Sequence, residues 1–253
     1  MSNSALVSYT KISPNRNSPR NHAIDRISIH CVVGQCTVER IGEIFAPESR
    51  EASSNYGIGL DGRIGMYVEE KDRSWCTSSG ANDHRAVTIE VASDTAHPYA
   101  VKAAAFSALL DLCTDICKRN GKKRLLWFGD KEKTLAYTPK ADEMVLTVHR
   151  WFANKACPGE YLYSRHGEIA AEVTKRLAAA DKPAEPTAPA GAGDNPSAWA
   201  KTATEYCKRK GIFAGDGAGN FDWKKPITRE QVAAVLYRTL ERAGLLETIP
   251  DKK

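Results

Sequence analysis

The sequence predicts an α/β domain with a central mixed sheet flanked by helices, followed by a small helical hairpin module. Strand patterns alternate with helical patterns from about residue 20 to residue 180. Residues 181–196 are rich in Pro, Ala and Gly and contain nothing large and apolar to bury, as in a linker. Residues 197–246 contain two helical patterns around a glycine-rich loop. We therefore predict a large domain at 20–180, a linker at 181–196 and a tail module at 197–246.

Two predicted strands carry one ionisable side chain each. Around His30, apolar residues alternate with Ser28 and His30, so the histidine points away from the apolar face. The segment from Ala86 to Ala92 alternates in the same way and carries Glu90 in its middle. Both ionisable side chains therefore lie opposite the face that packs in the core.

The remaining elements of the large domain follow in order. Residues 37–45 have a helical pattern, and residues 101–120 form a longer one that ends at Gly121. Residues 124–128 are typical of another buried strand, and residues 160–180 can form a last helix. This alternation of strands and helices favours the α/β class.

Composition excludes several classes of protein. The chain has no apolar run that could cross a bilayer, and residues 1–20 lack the apolar core of a secretory signal. Its net charge of +5 favours an anionic surface but is too small and dispersed to indicate nucleic acid. The seven cysteines are odd in number and scattered, which favours synthesis in a reducing compartment over a disulfide framework. We expect no membrane or nucleic-acid partner.

The sharpest local pattern joins His149 to Cys157 across a loop closed by Pro158 and Gly159. His30 can supply a third ligand. Two imidazoles and one thiolate with an open fourth position are typical of a catalytic zinc site. The four remaining histidines are predicted to lie at the surface: His22, His84, His97 and His166.

Four segments occur in the order seen in a known family. They are Ile29-His30, Asn55 to Gly62, Ala86 to Val91, and Lys155 to Gly159. Residues 20–180 thus resemble the zinc-dependent N-acetylmuramoyl-L-alanine amidases, which include phage lysozyme-like amidases, bacterial muramoyl-alanine amidases and animal peptidoglycan recognition proteins. The resemblance implies hydrolysis of the amide between the lactyl group of N-acetylmuramic acid and the first L-alanine of the peptidoglycan stem peptide.

The resemblance also implies roles for five residues. His30, His149 and Cys157 match the positions that hold Zn²⁺, the expected cofactor. Glu90 matches the strand glutamate that takes a proton from water and later gives it to the leaving amine. Lys155 matches the position beside the reacting carbonyl, where it would stabilise the oxyanion.

Four further residues are candidates for a substrate groove. Tyr56, Trp75, Asn82 and Trp151 could hold the sugar and the stem peptide, or they could belong to the core. The chain departs from the family at Cys76, because family members often have a histidine after the tryptophan that matches Trp75.

The tail carries a second resemblance. It begins with Trp199-Ala200 and continues with Gly211-Ile-Phe213, Gly215-Asp-Gly217 and Ile227-Thr-Arg-Glu230. These features resemble a single S-layer homology module, which implies binding to a secondary polymer of Gram-positive walls. Wall-binding candidates are Trp199, Thr228, Arg229 and Glu230. A unit this small buries little apolar surface, so a homodimer or a dimerising hairpin without a wall ligand remains an alternative.

The combined pattern predicts a phage endolysin that accumulates in the host cytoplasm and reaches the wall when the membrane is breached. A bacterial autolysin exported by another route is the alternative setting. A non-catalytic peptidoglycan-binding protein would need a defective metal site. A metal-free cysteine amidase would use Cys157 as nucleophile and His149 as base.

Overall fold

The computed structural model describes residues 2–181, 195–213, 215 and 220–246. The chain divides into two compact units, Met1–Lys182 and Pro183–Lys253. Most of the predicted linker, together with Asp216 and Gly217 of the predicted tail turn, lies outside the described residues.

A seven-stranded mixed sheet forms the centre of the first unit, as the sequence predicts. The strands of this unit are β1 (Val7–Thr10), β2 (Arg16–Asn17), β3 (Arg26–Cys31), β4 (Tyr56–Ile58), β5 (Ile64–Met66), β6 (Arg73–Ser74), β7 (Ala86–Val91), β8 (Arg124–Leu126) and β9 (Glu143–Thr147). The order in the large sheet is β1-β5-β4-β7-β3-β9-β8. Only β4 and β5 are antiparallel neighbours in it, while β2 and β6 form a separate antiparallel pair.

Helices flank the sheet and also form the second unit. In the first unit they are α1 (Val38–Phe45), α2 (Gly80–Asp83), α3 (Ala103–Arg119), α4 (Lys131–Ala136), α5 (Gly159–Tyr163) and α6 (His166–Asp181); in the second they are α7 (Lys201–Arg209) and α8 (Arg229–Ala243). In the described part of the chain, no helix combines the length and the apolar character needed to span a membrane.

The main core lies on one face of the sheet. Ile27 and Ile29 of β3 and Ile89 of β7 pack there in one cluster with Leu109 of α3 and Val173 of α6, and all five are fully buried. Full burial of such side chains stabilises the fold by about 1.5–3 kcal/mol each. The alternate residues of β3 and β7 are thereby directed to the opposite face.

The predicted last helix is interrupted between α5 and α6. In an unbroken helix the backbone amide of His166 would donate to the carbonyl of Leu162. That oxygen instead lies 2.7 Å from Nδ1 of the His166 side chain and also accepts from the amide of Arg165. The side-chain bond thus takes the place of a helical bond, and the helix restarts at His166.

Two strand ends differ from the sequence-based expectation. The first predicted strand stops at Cys31 because Val33 has a left-handed backbone, with φ of 59°. The edge strand β1 lies before residue 20, where the large domain was predicted to begin, and pairs with β5. The backbone amide of Ser4 donates to the hydroxyl of Tyr56 at 2.9 Å, which ties this segment to the sheet.

The second unit is built on local interactions. Thr228 and Gln231 form a complete capping box at the start of α8, and Gly244 ends that helix with φ of 69°. No side chain of α7 or α8 is fully buried. Leu236 of α8 is 57% exposed, in keeping with a small unit that buries little apolar surface.

Arg20 is a buried cation that holds several loops of the first unit together. Its side chain is 94% buried by area and, among the described residues, donates only to backbone carbonyls. Burial lowers the pKa of Arg20 to about 10, against the opposing charge of Glu70. The acceptors are the carbonyls of Glu70 at 2.6 Å, His84 at 2.9 Å, Asp72 at 2.9 Å, Ala86 at 3.1 Å and Asp83 at 3.3 Å.

We expect Arg20→Met to lower the free energy of unfolding by about 3–5 kcal/mol, because several buried carbonyls lose a charged donor at once. Urea denaturation measures this loss. The control is Arg40→Met, since Arg40 is exposed and its side chain pairs only with Glu43 of the same helix among the described residues. It should change the free energy by less than about 0.5 kcal/mol. Equal losses in the two variants would contradict the prediction.

Candidate functional site

The candidate site lies near the carboxyl ends of three adjacent parallel strands, β7, β3 and β9. His30 is the register partner of Glu90 on β7. On the other side, Ser28 is the partner of Thr147 on β9. His149 follows Thr147 by two residues, so it comes level with His30, which follows Ser28 by two. Parallel pairing in register puts partner side chains on one face of the sheet, so this face receives all three ionisable side chains.

The structure brings the three predicted metal ligands together. Ligand atoms of His30, His149 and Cys157 all lie within 4.8 Å of one another. The sulfur of Cys157 is 3.3 Å from Nδ1 of His30, and the two imidazole centroids are 5.2 Å apart. A second group, formed by His30, Cys76 and Glu90, meets the same 4.8 Å limit. One buried histidine is therefore shared by two clusters of donor atoms.

Neighbouring hydroxyls orient both imidazoles. The hydroxyl of Ser28 lies 3.2 Å from Nε2 of His30, which leaves Nδ1 facing Cys157. The hydroxyl of Ser78 lies 3.0 Å from Nε2 of His149. Burial lowers the pKa of His30 well below its ordinary value and also lowers that of His149, beside Lys155. Neutral imidazoles held by an outer hydrogen bond are the form that binds metal ions.

Glu90 faces the same group of donors. Its Oε1 lies 4.0 Å from Nδ1 of His30 and 3.9 Å from the sulfur of Cys76. Its Oε2 is buried and has no hydrogen-bond partner among the described residues. Burial raises the pKa of Glu90 to about 7, although Arg50 acts in the opposite direction. This carboxyl group can therefore take up or release a proton near neutral pH.

The loop after β9 brings Cys157 to the strands. The amide of Arg150 donates to the carbonyl of Cys157 at 3.2 Å. Gly159 has φ of +78°, and a Cβ atom at that position would lie 2.6 Å from Cβ of Tyr99. Only glycine fits both constraints. A hydrogen bond with the Cys31 thiol, together with burial, raises the pKa of Cys157 well above its ordinary value.

Two cavities flank this centre, and Arg50, His149 and Lys155 line both of them. The first, which we call the Arg73 cleft, has a volume of about 370 Å³. Its other lining residues are Glu51, Ala52, Arg73, Trp75, Cys76, Ser78, Ser79, Gly80 and Asp83. The second, which we call the Phe45 pocket, has a volume of about 260 Å³. Its other lining residues are Cys31, Val32, Val33, Ile41, Ile44, Phe45, Glu90 and Cys157.

Two of the predicted groove residues, Trp75 and Tyr56, lie in different environments. Trp75 lines the Arg73 cleft, and its indole nitrogen donates to Asn17 at 2.7 Å. Tyr56 is fully buried, and its hydroxyl donates to Glu70 at 2.7 Å. A side chain with no exposed surface cannot touch a substrate, so the groove role predicted for Tyr56 is corrected to a core role.

Asn82 and Trp151 also belong to the interior. Asn82 is buried and accepts a hydrogen bond from Arg26 at 3.0 Å. Trp151 stacks on Trp127 with centroids 5.0 Å apart, and it too is buried. His166 was predicted at the surface but is fully buried against Trp127. In each case a tertiary partner that the sequence does not reveal holds the side chain inside.

Sequence reasoning missed three polar residues of the site. Arg50, Arg73 and Ser78 lie in or between short elements and belong to no recognisable spacing pattern. Lys155, which was predicted, is exposed where the two cavities meet. The missed residues could have been flagged only by their charge or hydroxyl group, which many surface residues share.

Two family models match the chain. The model described as N-acetylmuramoyl-L-alanine amidase matches residues 10–160, and the S-layer homology domain matches residues 194–233. No curated protein gives a significant match.

Several solved structures are similar to about two thirds of the chain. A selenomethionine derivative of AmpD has a TM-score of 0.47 and 17% identity, over 66% of this chain and 96% of that one. The catalytic domain of XlyA has a TM-score of 0.46 and 12% identity, over 65% and 97%. The endolysin LysCS, an N-acetylmuramoyl-L-alanine amidase from Clostridium intestinale URNW, has a TM-score of 0.45 and 19% identity, over 66% and 92%.

We expect Gly159→Ala to destabilise the first unit more than Gly121→Ala does. Both glycines have positive φ, so alanine at either position costs about 1 kcal/mol of backbone strain. A Cβ at Gly121 would meet nothing within 4 Å, whereas at Gly159 it would strike Tyr99. That overlap should cost about 1–3 kcal/mol more. Urea unfolding of both variants gives the difference, and equal midpoints would refute the close approach at Gly159.

Proposed function

The chain belongs to the N-acetylmuramoyl-L-alanine amidase family and is a peptidoglycan amidase, and from this premise we propose that it works with zinc held by His30, His149 and Cys157. The observation that carries the proposal is the convergence of these three side chains. Their donor atoms lie within 4.8 Å of one another, although they come from three separate segments of the chain.

The chemistry of the donors fits zinc. Two neutral imidazoles and one thiol match a catalytic zinc site that keeps one position open. The Nδ1 atom of His30 faces Cys157 because Ser28 occupies its other ring nitrogen. Cys157 would bind as the thiolate and release its proton on metal binding. Glu90 stands beside the trio as the fourth ionisable group and remains available for proton transfer.

A bound zinc ion supplies Lewis acidity, which lowers the pKa of a water molecule towards about 7 and polarises the scissile carbonyl. Glu90 takes the proton from the attacking water and delivers it to the alanine nitrogen as the carbon–nitrogen bond breaks. Its pKa of about 7 suits both transfers. Lys155 stabilises the negative charge that develops on the carbonyl oxygen, a contact typically worth about 3–4 kcal/mol when preorganised. The products are a lactyl carboxylate and a free amino group.

The geometry gives less support to the other chemical hypotheses. A metal-free cysteine amidase needs an activated thiolate at Cys157, but the Cys31 hydrogen bond and burial raise the pKa of that thiol. A non-catalytic binding protein would need an incomplete site, and the clustering of donor atoms from His30, His149, Cys157 and Glu90 supports a complete one.

The S-layer homology match associates the chain with the cell wall. We take the ligand of this module to be a secondary polymer of a Gram-positive wall, and Trp199 to be its main contact, because this indole is 89% exposed. Arg229 and Glu230 are exposed in the first turn of α8 and can assist. Thr228 caps the same helix, so its contribution is structural. A homodimer through the apolar residues of α8 is compatible with their exposure.

The biological setting that fits best is a phage endolysin made in the host cytoplasm. All seven cysteines lie among the described residues, and none forms a disulfide. Free thiols suit a chain that folds in a reducing compartment. A bacterial autolysin with the same activity is the alternative, and its export would expose these thiols to oxidants.

Release of muramic-acid-linked peptide from purified Gram-positive walls should stop on zinc chelation and resume when zinc is restored. Cys157→Ala should lose the bound zinc, because it removes one of three ligands. Glu90→Gln should keep one zinc per chain and lose at least about a hundredfold in rate, the usual contribution of a general acid–base group. Zinc content and initial rate are measured on the same samples.

Cys36→Ala serves as the matched control, because Cys36 lies outside both donor clusters and should keep its zinc and its activity. Activity that survives chelation would remove zinc from the mechanism. Loss of zinc from Glu90→Gln would make Glu90 a ligand instead of a proton carrier.

Replacing Trp199 with alanine should reduce the fraction of protein that sediments with purified walls, because it removes the most exposed aromatic side chain of the second unit. Trp199→Phe keeps an aromatic ring and should retain most of the binding. Thr228→Ala should instead lower the stability of α8 by about 1 kcal/mol through loss of the cap. Unchanged sedimentation of Trp199→Ala would place the wall contact elsewhere.

A further inference from the structure

Two free thiols, those of Cys31 and Cys157, meet at the end of strand β3. Cys31 is the last residue of β3, and Cys157 lies in the loop after β9. Both line the Phe45 pocket, and Cys157 packs against the apolar cluster that contains Cys31. A hydrogen bond joins the two thiols. Because their sulfur atoms already lie side by side, a short movement of the Cys157 loop would bring them to the separation of about 2 Å found in a disulfide.

The sulfur of Cys157 has neighbours on both faces of the sheet. Successive side chains of a strand point to opposite faces, so His30 and Cys31 leave β3 in opposite directions. Cys157 contacts both of them: its sulfur lies 3.3 Å from Nδ1 of His30 and forms the hydrogen bond with the Cys31 thiol. One sulfur atom thus adjoins the proposed metal site on one side and a second thiol on the other.

The other cysteines are placed less well to react with Cys157. Cys76 lines the Arg73 cleft, and its sulfur lies 3.9 Å from Oε1 of Glu90. Cys36 packs against a separate apolar cluster. The remaining thiols lie on helices, Cys113 and Cys117 on α3 and Cys207 on α7. Among the described residues that line the Phe45 pocket, Cys31 is the one thiol beside Cys157.

We propose that Cys31 and Cys157 form a redox-active pair, whose oxidation to a disulfide removes Cys157 from the metal site and switches the enzyme off. Zinc binds the thiolate form of cysteine, and a sulfur atom in a disulfide no longer carries that charge. Reduction of the bond returns the thiol and with it the ligand. The inference rests on the proposed function, because it needs Cys157 as a zinc ligand.

Hydrogen peroxide is the oxidant that we assign to this reaction. Cys157 reacts first, because it is partly exposed whereas Cys31 is buried. Its sulfur attacks one peroxide oxygen, so that a sulfur–oxygen bond forms and the oxygen–oxygen bond breaks. The other oxygen leaves as water with the thiol proton, or with a proton from solvent if the thiolate holds zinc. The product at Cys157 is a sulfenic acid.

Cys31 then resolves the sulfenic acid. Its sulfur attacks the sulfur of Cys157, the sulfur–sulfur bond forms, and the sulfur–oxygen bond breaks. The hydroxyl group leaves as a second water molecule with the proton of Cys31. Two sulfur atoms have then lost two electrons in total, and one peroxide has become two water molecules. The Phe45 pocket, at about 260 Å³, has room for the peroxide beside both sulfur atoms.

The test treats the zinc-loaded full-length protein with hydrogen peroxide. Each chain should lose two thiols and release one zinc ion to a chelating dye. Peptidoglycan hydrolysis should fall by at least about tenfold, because loss of a ligand removes the metal, and dithiothreitol with added zinc should restore it. Zinc release and the thiol count are measured on the same samples. Tandem mass spectrometry of a tryptic digest then identifies the bonded cysteines, since Cys31 and Cys36 share one tryptic peptide.

Two variants separate the pair from general oxidation. Cys31→Ala should keep its zinc and its activity before treatment, because Cys31 belongs to neither cluster of donor atoms. With peroxide it should form no intrachain disulfide, and dimedone should trap the sulfenic acid at Cys157. Excess peroxide then carries that sulfur to the sulfinic acid, so reduction no longer restores zinc binding. Cys36→Ala is the matched control and should respond as the wild type does.

Two results would overturn the inference. In one, peroxide leaves Cys157 without a disulfide or joins it to a thiol other than that of Cys31. In the other, Cys31→Ala recovers its zinc after oxidation and reduction as completely as the wild type. If the untreated protein bound no zinc, the proposed function itself would fail. Mapping of the disulfide in the zinc-free protein then still decides whether Cys31 and Cys157 are a redox pair.

Discussion

The parallel register of β7, β3 and β9 is the constraint on which the site depends. It places Glu90 beside His30 and brings His149 level with both, before any loop takes part. A slip of one residue in either pairing would send the partner side chain to the opposite face of the sheet, into the apolar core. The packing of Ile27, Ile29 and Ile89 on that face therefore fixes the register, and with it the site.

The opposite face of the same strands carries polar side chains in a buried environment, and most of them are satisfied by one another. Thr88, for example, shares its hydroxyl with Ser54, Ser74 and Asn55. Two atoms on this face are exceptions: Oε2 of Glu90 and Oγ1 of Thr147 have no hydrogen-bond partner among the described residues. Burying polar atoms without hydrogen bonds costs about 1–3 kcal/mol each. The other oxygen of this carboxyl group, Oε1, lies 4.0 Å from Nδ1 of His30, so a cation and a water molecule at this point would give the unpaired oxygen a partner.

Much of the fold and half of the site could be predicted from the sequence, because they follow from local patterns. Alternation predicted the faces of His30 and Glu90, and spacing joined His149 to Cys157. The groove residues were harder to predict, because the sequence alone does not distinguish a buried aromatic side chain such as Tyr56 from a cleft-lining one such as Trp75. Arg73 carried no recognisable sequence signal, since its place in the cleft depends on how its guanidinium lies beside the Trp75 ring and against Gly80 at the start of a short helix.

The two units are stabilised in different ways, and the contacts proposed for them differ accordingly. The first has a sheet core that can hold strained, unpaired groups at a site. The second has no fully buried side chain in its helices, so it depends on the α8 capping box and on a small aromatic cluster. In this cluster the Phe221 ring stacks on Trp223 with centroids 5.2 Å apart, and the Phe213 ring lies 5.3 Å from the same indole. Trp199 takes no part in that cluster. An indole that the unit does not use for its own packing is available for the polymer contact proposed above, so we expect mutation of Trp199 to change wall association without unfolding the module.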